Sequence, residues 1–203
     1  MISLSKYKIY ILCMIIIFLI IGFMVMGKSE GILFDYAILE YLHQKTNPTL
    51  LKVMKLISFI GSYLFITPIM TAILIFNFIK KNYYISKLLI LSTLGTWILN
   101  YILKQIFQRI RPIDFFIVDQ SGFSYPSGHT MVATTFYLTK VFLLTRNIRD
   151  ESKKIFYYLI AFIFIFLMAL SRLYLGVHWP TDVIGGFLIG YVLYNTYIFL
   201  IRE

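Results

Sequence analysis

Residues 9–26 read IYILCMIIIFLIIGFMVM, and this stretch decides the fold class. A hydrocarbon core of about 30 Å is crossed by roughly 20 helical residues, with a working range of roughly 17–25. Lipid offers no hydrogen bonds, so a run of this kind must satisfy its backbone internally as a helix. Lys6 and Lys8 precede it, as in a secretory leader, but no small-x-small cleavage site follows. Lys28, Ser29 and Glu30 come next, and the run reads as a retained anchor. Cys13 lies inside it as a small hydrophobe and, as the chain's only cysteine, excludes an internal disulfide.

The rest of the chain agrees with lipid as its solvent. Of 203 residues, 60% are apolar and 14% charged, and the mean hydropathy is +0.81. Soluble domains sit nearer ~45–50% apolar, and a globule this size could not hide the excess. The net charge of +10 would suit nucleic acid, but the Lys and Arg residues cluster between apolar runs, as membrane topology requires, so no nucleic-acid partner is expected. Further runs fall at about 56–79, 88–107, 130–145, 155–170 and 183–201. Asn47-Pro48 is an N-cap followed by proline at the first helical position, so the second helix should start near 48. The 130–145 and 155–170 runs are short and carry polar residues, which suits bundle-facing helices. Between the first two spans, residues 31–43 place Ile32, Leu33, Tyr36, Leu39 and Leu42 at helical spacing against Asp35, Glu40 and His43. They read as an amphipathic helix lying in the membrane interface, with His43 on the surface. The expected fold is all-α: one domain, 1–203, built as a polytopic bundle of six transmembrane helices plus this interfacial helix.

Charge sets the expected sidedness. Lys6 and Lys8, Lys80, Lys81 and Lys87, the Arg146–Lys154 connection, and Arg202 share one side of a six-span chain. Lysine and arginine favour the cytoplasm, so both termini are expected there. The loops 109–129 and 172–182 then face outward, yet they contain Arg109, Arg111 and Arg172. Cations against the topology rule imply another purpose.

Three clusters on that outer side carry chemistry. Lys104 ends an apolar helix and Arg111-Pro112 follows six residues later. Near-membrane cations are costly and point to function. With Arg172 at another span end they make an anion site, since the guanidinium fork matches phosphate oxygens; singly, each could be a snorkelling head-group anchor. Pro126-Ser127-Gly128 opens a helical run, offering a hydroxyl and free backbone N–H groups to an anion, and His129 sits beside it. In the third cluster, Ser171-Arg172 is followed by His178 and Asp182, four residues apart, with Pro180 at the start of the last helix. A carboxylate on one ring nitrogen fixes the tautomer and leaves the other as a nucleophile.

Lys-x6-Arg-Pro, Pro-Ser-Gly-His and Ser-Arg-x5-His-x3-Asp together resemble the signature of the type 2 phosphatidic acid phosphatase superfamily. Every signature position is matched between 104 and 182. The resemblance implies that His178 attacks phosphorus to form a phosphohistidine, with Asp182 orienting it. His129 would protonate the leaving oxygen and then activate water. Lys104, Arg111, Ser127, Gly128 and Arg172 would hold the phosphoryl oxygens, while Pro112, Pro126 and Ser171 would shape the loops. It also implies a metal-free, cofactor-free reaction; Asp114 and Asp119 in the loop have no third ligand to join them. Vanadium-dependent haloperoxidases share the motifs, but six apolar spans speak against that soluble class. A non-catalytic head-group binder would need the cations but not the histidines. The expected partners are the bilayer and a lipid substrate. Undecaprenyl pyrophosphate is preferred because the site faces outward, ahead of phosphatidylglycerol phosphate and phosphatidic acid.

Overall fold

A computed structural model describes residues 4–201 of the chain. Arg202, one of the expected topology charges, lies outside the described residues, as does the side chain of Lys6. The described residues are helical or irregular, with no strand among them. Helix α1 runs Leu4–Val25, α2 Asp35–Gln44, α3 Pro48–Ile60 and α4 Tyr63–Ile79. α5, Tyr83–Ile90, passes through a π-helical turn, Leu91–Gly95, into α6, Thr96–Phe107. α7 spans Gly128–Thr145, α8 Glu151–Tyr174 and α9 Pro180–Leu200. Among the described residues, five stretches are long and apolar enough to cross a membrane: Tyr7–Val25, Pro48–Ile79, Tyr83–Phe107, Glu151–Tyr174 and Pro180–Leu200.

Local chemistry sets the helix starts. Asn47 caps α3 by accepting from the Leu50 N–H at 2.9 Å, and Pro48 takes the first position. The α3–α4 rod is broken at Gly61-Ser62, where a Cβ on Gly61 would lie 2.1 Å from Met168 Cε of α8. Asp150 caps α8 through the Ser152 and Lys153 N–H groups.

α7 is the hub, packed against α5, the π turn, α6, α8 and α9. It buries Thr130, Thr134, Thr135, Thr139 and Thr145. Thr134 and Thr145 donate to carbonyls four residues back at 2.8 Å, and Thr135 also reaches the Ser92 carbonyl in the π turn at 2.7 Å. A helix wrapped by protein need not be apolar, because its neighbours and its own carbonyls satisfy it. The expected polar, inward-facing run at 130–145 is therefore the central helix.

The matching expectation for 155–170 fails. α8 turns Ile155, Phe156, Leu159, Ile163 and Phe166 outward and buries Ala161, Ile165 and Met168. It is seven turns of peripheral helix with an apolar outer face, and its few polar residues sit at its two ends. The 31–43 segment does form a helix, but over Asp35–Gln44, and it packs against α8 and α9. Its carboxylate Asp35 is fully buried, not on a water-facing side, because a buried cation draws it in. His43 is half-buried, with its ring against Phe115 at 5.1 Å between centroids.

α9 approaches α7 along a seam of glycines. A Cβ on Gly186 would meet the Ser127 carbonyl oxygen at 2.6 Å, and one on Gly190 the Met131 carbonyl oxygen at 2.8 Å. Small residues at such a crossing let two backbones touch. The contact brings the start of α7 beside the start of α9.

Candidate active site

Four helix ends meet here. α6 stops at Phe107 because Gln108 adopts a left-handed conformation, φ 48°, and the chain turns inward. Arg109 and Arg111 follow in a loop pinned by Ser124 N–H donating to the Arg109 carbonyl at 2.7 Å. α8 ends at Tyr174, and Gly176, φ +70°, turns the chain back. A Cβ there would lie 1.6 Å from the Phe115 carbonyl oxygen, so only glycine fits. His178 follows, and Pro180 opens α9.

His178 is 2% exposed. Its Nδ1 lies 3.3 Å from Asp182 Oδ2 and its Nε2 3.2 Å from Arg111 NH1. A guanidinium only donates, so Nε2 must be the acceptor and the ring proton sits on Nδ1, towards Asp182. Burial first, then Arg111, Lys104, Arg172 and His129, hold the imidazole well below the ordinary histidine range. The ring is thus neutral, with a lone pair on Nε2.

Asp182 is fully buried and satisfied beyond the histidine. Oδ2 accepts from the Trp179 N–H at 2.8 Å and from the Ser124 hydroxyl, and Oδ1 accepts from Arg109 NH1 at 2.8 Å. Arg111 donates to the carbonyls of Gly122 at 2.9 Å, Val177 at 2.6 Å and Phe123 at 3.1 Å. Burial lowers its pKa to about 10, with Asp182 opposing, so it stays charged at neutral pH. Lys104 reaches the Phe123 and Ser124 carbonyls. Arg172 is 3% exposed and is held by the Ser58 hydroxyl and by Gln120 Oε1 at 3.2 Å, while its buried Nε has no partner.

The second motif closes the site from α7. Ser127 is buried; its N–H donates to the Asp182 carbonyl at 3.0 Å and its hydroxyl pairs with Thr130 Oγ1 at 3.1 Å. Gly128 and His129 are half-buried in the first turn, where backbone N–H groups have no helical acceptor. A Cβ on Gly128 would lie 2.7 Å from Asn100 Oδ1. Of the loop residues, Pro112 and Pro126 are buried and offer carbonyls to the Phe115 N–H at 3.0 Å and to Asn100 Nδ2 at 3.0 Å. Ser171 donates to the Met168 carbonyl at 2.7 Å. Among the described residues no group of three or more His, Cys, Asp or Glu could hold a metal ion.

Sequence reasoning flagged Arg109 only as a cation against the topology rule, placed Asp35 on a polar helix face, and gave neither of them, nor Ser124, a part in the site. Arg109 is fully buried, ion-paired to Asp35 at 2.6 Å as well as to Asp182, and lies over the Trp179 ring at 5.2 Å. The available signal was a cation two residues before Arg111 on the side where cations are disfavoured; nothing local named its partner.

Cations thus gather around a neutral, carboxylate-backed histidine where the helix ends converge. The family model described as the PAP2 superfamily matches residues 86–202. The chain belongs to the PAP2 superfamily. It is 38% identical over 149 residues to phosphatidylglycerophosphatase B of Bacillus subtilis, covering 72% of this chain and 73% of that one. It is 29% identical over 191 residues to the undecaprenyl-diphosphatase of Sulfolobus acidocaldarius, covering 91% and 87%. Among solved structures, the transmembrane PAP2-type phosphatidylglycerolphosphate phosphatase of Bacillus subtilis superposes with a TM-score of 0.82 at 30% identity, covering 94% of each chain. As a PAP2 protein with several apolar helices, the chain is a multi-pass membrane lipid phosphatase, a hydrolase.

Proposed function

We propose that this PAP2 phosphatase removes the terminal phosphate of a membrane lipid through a phosphohistidine on His178. The observation that carries the reading is the two-sided hold on that ring: Nδ1 faces Asp182 at 3.3 Å and Nε2 faces Arg111 at 3.2 Å. The Nε2 lone pair forms the N–P bond while the P–O bond to the lipid breaks. Its electron pair leaves on the lipid oxygen, which takes a proton from His129. Water then attacks phosphorus and gives a proton to His129, and the N–P electrons return to Nε2. Lys104, Arg111 and Arg172, with Gly128 and the N–H groups at the start of α7, stabilise the phosphoryl oxygens, usually the largest catalytic term. Ser127 contributes its position rather than a free hydroxyl. These cations supply the charge that a metal would bring, so the reaction proceeds without one.

The substrate we favour is phosphatidylglycerol phosphate. The support is the 38% identity to phosphatidylglycerophosphatase B and the superposition on the phosphatidylglycerolphosphate phosphatase. Undecaprenyl pyrophosphate, preferred from sequence, is the second reading; it is supported by the named activity of the relative that covers 91% of the chain. α7 counts as a sixth crossing, which puts both termini in the cytoplasm and the site outside. On this reading α2 rests at the outer interface and residues 1–203 are one domain.

The test is phosphate release from a panel of the two lipids and phosphatidic acid by detergent-purified protein in EDTA. An acid-labile, base-stable phosphoenzyme should be trapped in the parent and be missing in His178→Ala. Full turnover by His178→Ala would end the mechanism, and activity that vanished in EDTA and returned with magnesium would end its metal-free form.

A further inference from the structure

We infer that Asp35 and Arg109 are positioning residues for the nucleophile, acting on His178 through Asp182. The inference rests on the phosphohistidine reading and adds to it a reason for the helix between the first two spans. Arg109 bridges two carboxylates that are, like itself, fully buried. NH2 meets Asp35 Oδ2 at 2.6 Å, and NH1 meets Asp182 Oδ1 at 2.8 Å. Thr181 completes the link: its hydroxyl accepts from Arg109 NH1 at 2.7 Å and donates to Asp35 Oδ2 at 2.8 Å, and its N–H donates to Asp35 Oδ1 at 2.9 Å. The Ile32 N–H adds a donor to Oδ2 at 3.0 Å. Asp35 thus caps the first turn of α9 from outside, where the helix dipole favours an anion, and fixes the guanidinium that fixes Asp182.

Charge explains why two carboxylates are needed. A buried arginine facing Asp182 alone would neutralise it, and the histidine would feel little of the carboxylate. Asp35 takes up the arginine's charge instead. The cluster Asp35, Arg109 and Asp182 carries one net negative charge, and Asp182 Oδ2 is where that charge meets the ring N–H. When Nε2 bonds to phosphorus the imidazole becomes cationic, and this surplus stabilises it. The polar partners of the His178 ring are Arg111, Ser124 and Asp182, so Asp35 and Arg109 reach it through Asp182. A carboxylate behind a metal-bound histidine is worth roughly 10–100-fold, and the same order is expected for a histidine that bonds phosphorus.

The experiment is a double-mutant cycle on the rate of phosphoenzyme formation, measured by rapid quench and normalised to monodisperse protein. Asp35→Asn keeps the shape and accepts from Thr181, but leaves Arg109 paired only with Asp182. It should slow phosphorylation about 10-fold with KM changed less than about 2-fold. In an Asp182→Asn background the same change should cost less than about 2-fold, because the route to His178 is already cut. Arg109→Lys, which keeps the cation but loses the fork, carries the same cycle where Asp35→Asn does not fold. Equal losses in both backgrounds would show a merely structural role and overturn the inference, as would no loss at all. His178→Ala runs in parallel: if it is inactive while Asp35→Asn is unaffected, only the positioning role fails, whereas an active His178→Ala removes the nucleophile reading and this inference with it.

Discussion

Gly186→Ala places a methyl group where two helices share no space, and its effect can be worked out from the distances. The added Cβ would lie 2.6 Å from the Ser127 carbonyl oxygen, 3.2 Å from Thr130 Cβ and 3.4 Å from the Met131 nitrogen. The nearest of these is backbone at the start of α7 and cannot swing aside as a side chain could. To restore ordinary contact, that turn must retreat from α9 by about 0.8 Å, and a misplacement of ~1 Å can cost ~10²-fold. The retreat moves Gly128 and His129 away from His178 and stretches the 3.0 Å bond from Ser127 N–H to the Asp182 carbonyl. We expect kcat to fall roughly 10–100-fold. The assay is phosphate release from detergent-solubilised phosphatidylglycerol phosphate, with gel filtration and thermal unfolding to establish that the protein is folded. Ile184→Ala, on the exposed side of the same turn, is the control and should stay within about 2-fold. A folded Gly186→Ala enzyme with the parent kcat would refute the idea that this helix contact sets the site's geometry.

Asp182→Asn should lower kcat roughly 10²–10⁴-fold without abolishing it, since the histidine survives but loses its oriented tautomer; steady-state turnover of folded protein checks this. Because burial and neighbouring cations hold His178 neutral below the ordinary range, the acid limb that His178 imposes on phosphoenzyme formation should fall below pH ~6.5. The sign for stability follows: an unfolded chain protonates this ring near pH ~6.5 and the native one does not, so stability is lost as pH drops below that value, and a pH series of thermal melts should show the loss. His129→Ala should slow phosphorylation more for a lipid monophosphate than for a lipid pyrophosphate, because only the alcohol leaving group depends heavily on ~10²–10⁴-fold of acid catalysis; equal rapid-quench losses would make His129 a phosphate-binding residue. A cysteine at the exposed Ser121, in a Cys13-free background, should react with an impermeant thiol reagent in intact cells; labelling only after permeabilisation would invert the proposed sidedness.

The motifs were legible because each is a short run whose residues have their chemistry written locally. Asn47-Pro48 likewise marks the start of α3 through a bond to Leu50, three residues on. Arg109 could not be read this way. Its partners lie 74 residues before it and 73 after, and no periodicity ties them together. Asp35 looked like the wet side of an amphipathic helix, since spacing tells which residues share a face but not what covers it. α8 misled for the opposite reason: its run was cut short at both polar ends, so a full-length span with an apolar outer face was taken for a short one. The 130–145 run did point inward from sequence, because it is short and carries polar residues, which sit better against neighbouring helices than against lipid.

The burial of α7 bears on how such chains are mapped. Five stretches among the described residues qualify as crossings by length and apolarity, and α7 is not one of them. On the six-crossing reading, a hydropathy survey of this chain would stop at an odd number. It would then draw every segment after α7 upside down, moving His178 to the opposite compartment from His129. A reporter fused after α9 therefore measures parity: it registers whether the polar hub was counted.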